Sequence, residues 1–249
     1  MAKQKGIVFL EGTMGGINFY YRKGVPTARV AGGGFNGNAI KTSPNMVRVR
    51  EQNAEFAKCS TVNRVFKNAM RSFLIGYKDG SLHSRLMQLF LGIRDCDMFS
   101  ERGKREVCKG MSVEQGKRLL KDFVFTPKRS KLLPCHYEFD WNVLQFKVVG
   151  FNVSKLDFPK GADFMELMLG VLRFDFEQLT YICEWATPVS INTYFSDTSF
   201  SLGVAKEPAG TGQLMAVARV CFYQEVNGSH YLLQNDGAFG VQIFIKTNT

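Results

Sequence analysis

Near Asp122 the spacing of apolar residues changes. Before it, apolar side chains recur every three or four residues, the period of a helix with one buried stripe. After it, short apolar runs are separated by turn residues, the pattern of strands. A chain whose helices come first and strands second is confined to α+β architectures, because parallel α/β folds alternate the two. The expectation is an N-terminal β-ribbon plus helices, followed by an antiparallel immunoglobulin-like β-sandwich.

Charge changes at the same place. Residues 1–122 hold 22 Lys and Arg against 10 Asp and Glu, and residues 123–249 hold 10 against 12. The full chain of 249 residues is long enough for two modest domains. We therefore expect a basic ribbon-and-helix domain over 1–122 and a sandwich domain over 123–249. The 22 phenylalanines suit a sandwich interior or a large buried interface.

Within the first part, Gly6–Leu10, Ile17–Arg22 and Val25–Val30 read as short strands, the last two joined at Lys23-Gly24. Gly32-Gly33-Gly34-Phe35-Asn36-Gly37 matches a dinucleotide fingerprint in letters only. No strand–turn–helix succession surrounds it, so it reads as a linker. Ser43-Pro44 starts a helix by a hydroxyl cap and a proline at the first position. Met46, Val49 and Phe56 form its stripe, and a break near Cys59-Ser60 precedes Val65, Phe66, Ala69 and Phe73. Leu82, Leu86, Leu89, Phe90 and Ile93 predict another helix after Asp79-Gly80-Ser81, and Ser112 with Gln115 resembles a capping box.

Arg48, Arg50, Lys58, Arg64, Lys67 and Arg71 occupy much of the remaining surface of the central helices, and Arg102, Lys104 and Arg105 crowd a glycine-broken loop. These nine form a candidate docking surface for phosphates, acidic protein or anionic lipid. A solvated basic face explains the central helices as simply, and a solvated loop explains the other three.

In the second part, strands are expected at Tyr137–Trp141, Val143–Phe151, Phe164–Phe176, Leu179–Trp185, Val189–Phe195, Gln213–Val226, Ser229–Leu233 and Phe239–Ile245. Asn227-Gly228 is the strongest hairpin signal in the chain. Trp141 and Trp185 read as core strand residues, which weakens a carbohydrate-binding reading that needs exposed aromatics.

Catalytic constellations are missing. No Gly-x-Ser-x-Gly, phosphate loop or His-Glu-x-x-His occurs. Asp175 and Glu177 are a carboxylate pair two apart, and a solvated strand face explains them. Six cysteines without Cys-x-x-Cys spacing read as reduced thiols, and three dispersed histidines point to no metal site. The chain is expected to have no catalytic residues, no cofactor and no enzymatic activity. No segment of it reads as a transmembrane helix.

Leu10-Glu11-Gly12-Thr13-Met14-Gly15-Gly16-Ile17-Asn18-Phe19-Tyr20 and Arg48-Val49-Arg50-Glu51-Gln52-Asn53-Ala54-Glu55-Phe56 carry a resemblance, joined by Arg102-Gly103-Lys104-Arg105 and Phe222-Tyr223-Gln224-Glu225-Val226-Asn227-Gly228. The chain resembles a family of roughly 250-residue proteins common in Bacteroidetes. It is also similar to the plug component of the type 9 secretion translocon. That likeness implies a non-enzymatic protein that docks on a large outer-membrane partner and closes its channel from the periplasmic side. It implies a periplasmic location at the outer membrane, whereas the short apolar run at the N-terminus is no secretory signal and by itself reads as cytoplasmic. The alternative from the residues alone is nucleic-acid binding by 1–122, in a phage-like or nucleoid setting.

Overall fold

The computed structural model describes residues 2–4, 8–32, 37–234 and 237–246. The chain forms two compact units, 1–50 and 51–249.

In the first unit, β1 (Ala2–Lys3), β2 (Gly12–Met14), β3 (Ile17–Arg22) and β4 (Val25–Val30) make an antiparallel sheet in the order β1-β4-β3-β2. Lys23 and Gly24 both take positive φ, 51° and 77°, which is the geometry that a two-residue hairpin needs. Of the strand expected at Gly6–Leu10, Gly6 and Ile7 lie outside the described residues, and Val8–Leu10 is irregular chain. Its ordering comes from Gln4, whose side-chain carbonyl accepts from the Leu10 N–H at 2.9 Å. Residues 33–36 of the glycine-rich linker also lie outside the described residues. After the short helix α1 (Gly37–Thr42), Pro44 opens a single 3-10 turn that leads into α2 (Val47–Ala69). Pro44 does sit at the first helical position, but the Ser43 hydroxyl makes no cap bond.

The expected break at Cys59-Ser60 is absent, and α2 runs unbroken for 23 residues. Neither residue interrupts a helix, and Cys59 is needed inside, where its Sγ lies 3.7 Å from the Phe90 carbonyl. The buried stripe is Glu55, Cys59, Val62, Phe66 and Ala69, at alternating spacings of four and three. Phe56 points outward and is half exposed.

The second unit continues with α3 (Arg71–Leu74), α4 (Leu82–Asp95), α5 (Val107–Ser112) and α6 (Glu114–Lys121). The stripe expected on α4 is buried throughout. Ser112 caps nothing; its hydroxyl donates back to the Lys109 carbonyl, and the extended Val113 precedes α6. Strands follow as β5 (His136–Asp140), β6 (Gln145–Val149), β7 (Phe164–Asp175), β8 (Thr180–Trp185), β9 (Val189–Asn192), β10 (Ser199–Gly203), β11 (Gln213–Val226), β12 (Ser229–Leu232) and β13 (Phe239–Ile245). Asn227-Gly228 turns β11 into β12 with φ of 52° and 73°.

Two antiparallel sheets result. The smaller has the order β10-β6-β5. The larger is built on β7 and β11, which pair without interruption from Phe174↔Gln213 to Phe164↔Tyr223. Outside β7 lie β8 and β9 in succession, and outside β11 lie β13 and β12.

Each face of the larger sheet meets a covering layer, the helix-side one over part of its area. Leu172, Phe174, Met215, Val217, Val241 and Ile243 share a core with α2–α6. Their strand neighbours Val171, Leu214, Ala216, Ala218 and Val220 share another with the smaller sheet. The unit is thus helix, sheet, sheet. Burial on both faces is why β7 and β11 read as nearly continuous apolar runs rather than alternating ones.

The change of charge balance at 122/123 falls inside this second unit. Helices and sheet stay together because neither can cover its apolar side alone. Phe66 of α2 meets Phe90 of α4 edge-on at 5.3 Å and Phe174 of β7 at 5.4 Å. The chain is an α+β protein with antiparallel sheets.

Candidate docking surfaces

The nine basic residues are divided between the two units, Arg48 and Arg50 in the first and the other seven in the second. Arg50 belongs to the first unit and donates through Nη1 to the Ile40 and Ser43 carbonyls at 2.7 and 2.9 Å, holding the turn that precedes α2. Lys58 pairs with Glu106 at 2.6 Å, Arg102 with Glu51 at 3.3 Å and Lys104 with Glu101 at 2.9 Å.

Arg105 is the most committed. Its Nε and Nη2 donate to the two oxygens of Glu55, each at 2.9 Å, while Arg94 approaches the same carboxylate at 3.2 Å. The Gly103 N–H adds a bond of 2.7 Å, and Asp95 bridges Arg94 and Arg105 from outside. Glu55 is 2% exposed. The Arg105 bonds outweigh burial and hold its carboxyl down at about 2. Asp97, also buried, accepts from the N–H groups of Phe99, Ser100 and Glu106. The segment 97–106 is therefore a clamped loop whose cations are taken by carboxylates of the same unit.

Arg64, Lys67 and Arg71 remain, at spacings of three and four that continue one side of α2 into α3. Arg64 and Arg71 are exposed, and none of the three has an ion-pair partner among the described residues. Arg48, in the first unit, is exposed as well.

The carboxylate pair resolves differently from the solvated strand face expected. Asp175 is buried and accepts from the Glu177 and Gln178 N–H groups and from the Thr211 hydroxyl, so it staples the turn after β7. Those bonds hold its carboxyl below the ordinary range. The cysteines are all free, and burial raises Cys59 to about 11 and Cys183 and Cys221 to about 12.

Sequence reasoning placed the basic half at 1–122 and did not single out the first fifty residues. Those fifty carry eight Lys and Arg against one acid, Glu11. Residues 51–249 carry 24 against 21. Among the described residues of the first unit no apolar side chain is buried, and Thr27 alone is. Val8, Met14 and Val30 are 77%, 62% and 74% exposed, and Phe9 and Tyr21 are about half exposed. Arg29 lies over the Tyr20 ring at 5.7 Å. An all-round wet sheet of this size gains little from its own burial. The missing core was legible in one respect: a ribbon of a few short strands is marginal alone and must pack on the helices or on a partner.

Among the described residues no helix is long and apolar enough to cross a membrane. Compared with family models, curated proteins and solved structures, the chain matches none.

Proposed function

We propose that this is a non-enzymatic docking protein, in which residues 1–50 engage a large partner and residues 51–249 supply a rigid body. The observation that carries this reading is the first unit: strongly basic, four-stranded, and without a buried apolar side chain among its described residues. A sheet of that kind gains its missing burial when another surface covers it, and β1 and β2 are its edge strands, where a partner strand adds.

The resemblance carried by Leu10–Tyr20 and Arg48–Phe56 supplies the finer reading, a plug on the periplasmic side of the type 9 secretion translocon. Both segments lie wholly or partly in the first unit. The body would act by occlusion and large-area contact. The two facing sheets of 123–249 support an immunoglobulin-like sandwich with a helix layer added to one face.

Nucleic acid is the second reading. Phe19-Tyr20-Tyr21-Arg22-Lys23 sets three aromatic residues beside two basic ones on one ribbon, a combination that suits stacking plus phosphate contacts.

Native co-purification from fractionated cells, with and without nuclease, separates them. The docking reading expects stoichiometric recovery of a large outer-membrane protein, indifferent to nuclease and lost when residues 51–249 are used alone. Recovery with nucleic acid that disappears on nuclease treatment moves the assignment to the second reading. A clean monomer from every fraction ends both.

A further inference from the structure

The helix layer covers only part of its face of the larger sheet. On β7, Leu172 and Phe174 lie under the helices. Steps of two back along the strand put Glu166 and Phe164 on that same face. On β11 the same face carries Met215 and Val217, then Arg219, whose Nη1 donates to the Ser72 carbonyl of α3 at 2.9 Å. Gly170 of β7 still lies under Phe73 of α3, since a Cβ there would come within 2.7 Å of its ring, and Cys221 of β11 is still fully buried. Past Gly170 and Cys221 the face opens into a groove of about 620 Å³.

The register assembles its floor. Phe164 is opposite both Asn192 of β9 and Tyr223 of β11, Glu166 is opposite Ser190, and Glu225 is opposite His230. Phe164 and Tyr223 stack at 5.2 Å with planes 9° apart, and His230 meets Phe164 edge-on at 4.8 Å. The Tyr223 hydroxyl donates to Glu166 at 3.3 Å. Asp163 accepts the Glu225 N–H at 2.7 Å, and His230 lies 3.9 Å from the Glu225 carboxylate. At the rim, the Asn192 side chain accepts the Tyr194 N–H at 3.0 Å, fixing a turn that holds the Tyr194 ring 90% exposed.

We propose that this groove binds a neutral saccharide. Anionic ligands are disfavoured because the lining holds Asp163, Glu166 and Glu225 and no Lys or Arg. A quaternary ammonium needs several ring faces aimed at one point, and Phe164 and Tyr223 turn theirs toward each other. A pyranose has one flat C–H face and a rim of hydroxyls. Tyr194 offers the single free ring for the face, carboxylate oxygens accept hydroxyl protons in short charge-assisted bonds, and Asn192 and Ser190 both donate and accept. Apart from Phe164, Tyr194 and Tyr223 the lining is polar, which suits a ligand that carries many hydroxyls rather than an apolar one. Burial raises the Tyr223 phenol to about 12, so it stays a donor at any working pH.

The test is affinity electrophoresis of the full chain through gels containing laminarin, xyloglucan, galactomannan or pullulan, with calorimetry against hexalysine alongside. The expected result is retardation in at least one gel. Tyr194→Ala should weaken it about fivefold to tenfold without moving the melting temperature, and Glu166→Gln should weaken it too. Migration unchanged in every gel overturns the proposal, as does retardation that Tyr194→Ala leaves intact. Hexalysine binding that Tyr194→Ala abolishes overturns it in favour of a cation site. None of these outcomes depends on what residues 1–50 engage.

Discussion

Glu55 sits on the buried side of α2 with two guanidinium groups against it, and removing its charge would strand both. Glu55→Gln is expected to cost about 3 kcal/mol at neutral pH, the range for breaking a buried pair from one side, measured by urea unfolding. The pH dependence has a definite sign. Its folded value near 2 lies below the ordinary 4.5. The stabilisation is therefore complete above about pH 4.5 and is lost as pH falls through about 2. In Glu55→Gln that part of the acid slope should vanish; an unchanged slope would remove Glu55 from the acid response. No reading of the sequence alone could pair Glu55 with Arg105, since they are fifty residues apart in the chain and meet only through tertiary folding. That is why Arg102, Lys104 and Arg105 look like free cations in the sequence and are ion-paired in the fold.

Among the elements, α4, α5 and α6 pack through glycine. A Cβ at Gly110 would collide with the Ile93 carbonyl, and one at Gly116 with the Gly110 carbonyl. Gly110→Ala should lower stability by about 1–3 kcal/mol through overpacking. Gly80→Ala, where added bulk meets open space, should stay within about 0.5 kcal/mol. Equal thermal shifts for the two would contradict the close crossing. Element types were largely legible: Lys23-Gly24 and Asn227-Gly228 turn where their chemistry says, and β11 and β13 fall on the expected residues. The misses have physical causes. Cys59-Ser60 looked like a break because polarity there interrupts the stripe, yet the helix simply continues with Cys59 inside. Ser199–Gly203 is not among the expected strands although Phe200 and Leu202 alternate with small residues there, because a five-residue run with two apolar side chains is a weak signal beside its longer neighbours. Tyr194 and the groove floor were absorbed into the strands Val189–Phe195 and Phe164–Phe176; the polar Glu166 within the latter run was the available hint.

At the scale of the whole molecule, composition and structure divide the chain in different places. Charge changes at 122/123, while compactness changes at 50/51. Residues 123–249 alone would expose Leu172, Phe174, Met215, Val217, Val241 and Ile243 to water. They are expected to give no cooperative thermal transition, whereas residues 51–249 should melt in one. A sharp transition from 123–249 would show that the helices are dispensable to the sheet.

The distance along the chain between the helices and their cover has a consequence during synthesis. Helices α2–α6 leave the ribosome before the strands that cover them, and the last of those strands, β13, lies at the far end of the chain. At about 5–20 residues per second, the apolar side of the helix layer waits about ten seconds for its partner. Through that interval the nascent chain presents Phe66, Phe73, Leu86 and Phe90 to the cytosol, a natural substrate for a ribosome-associated holdase.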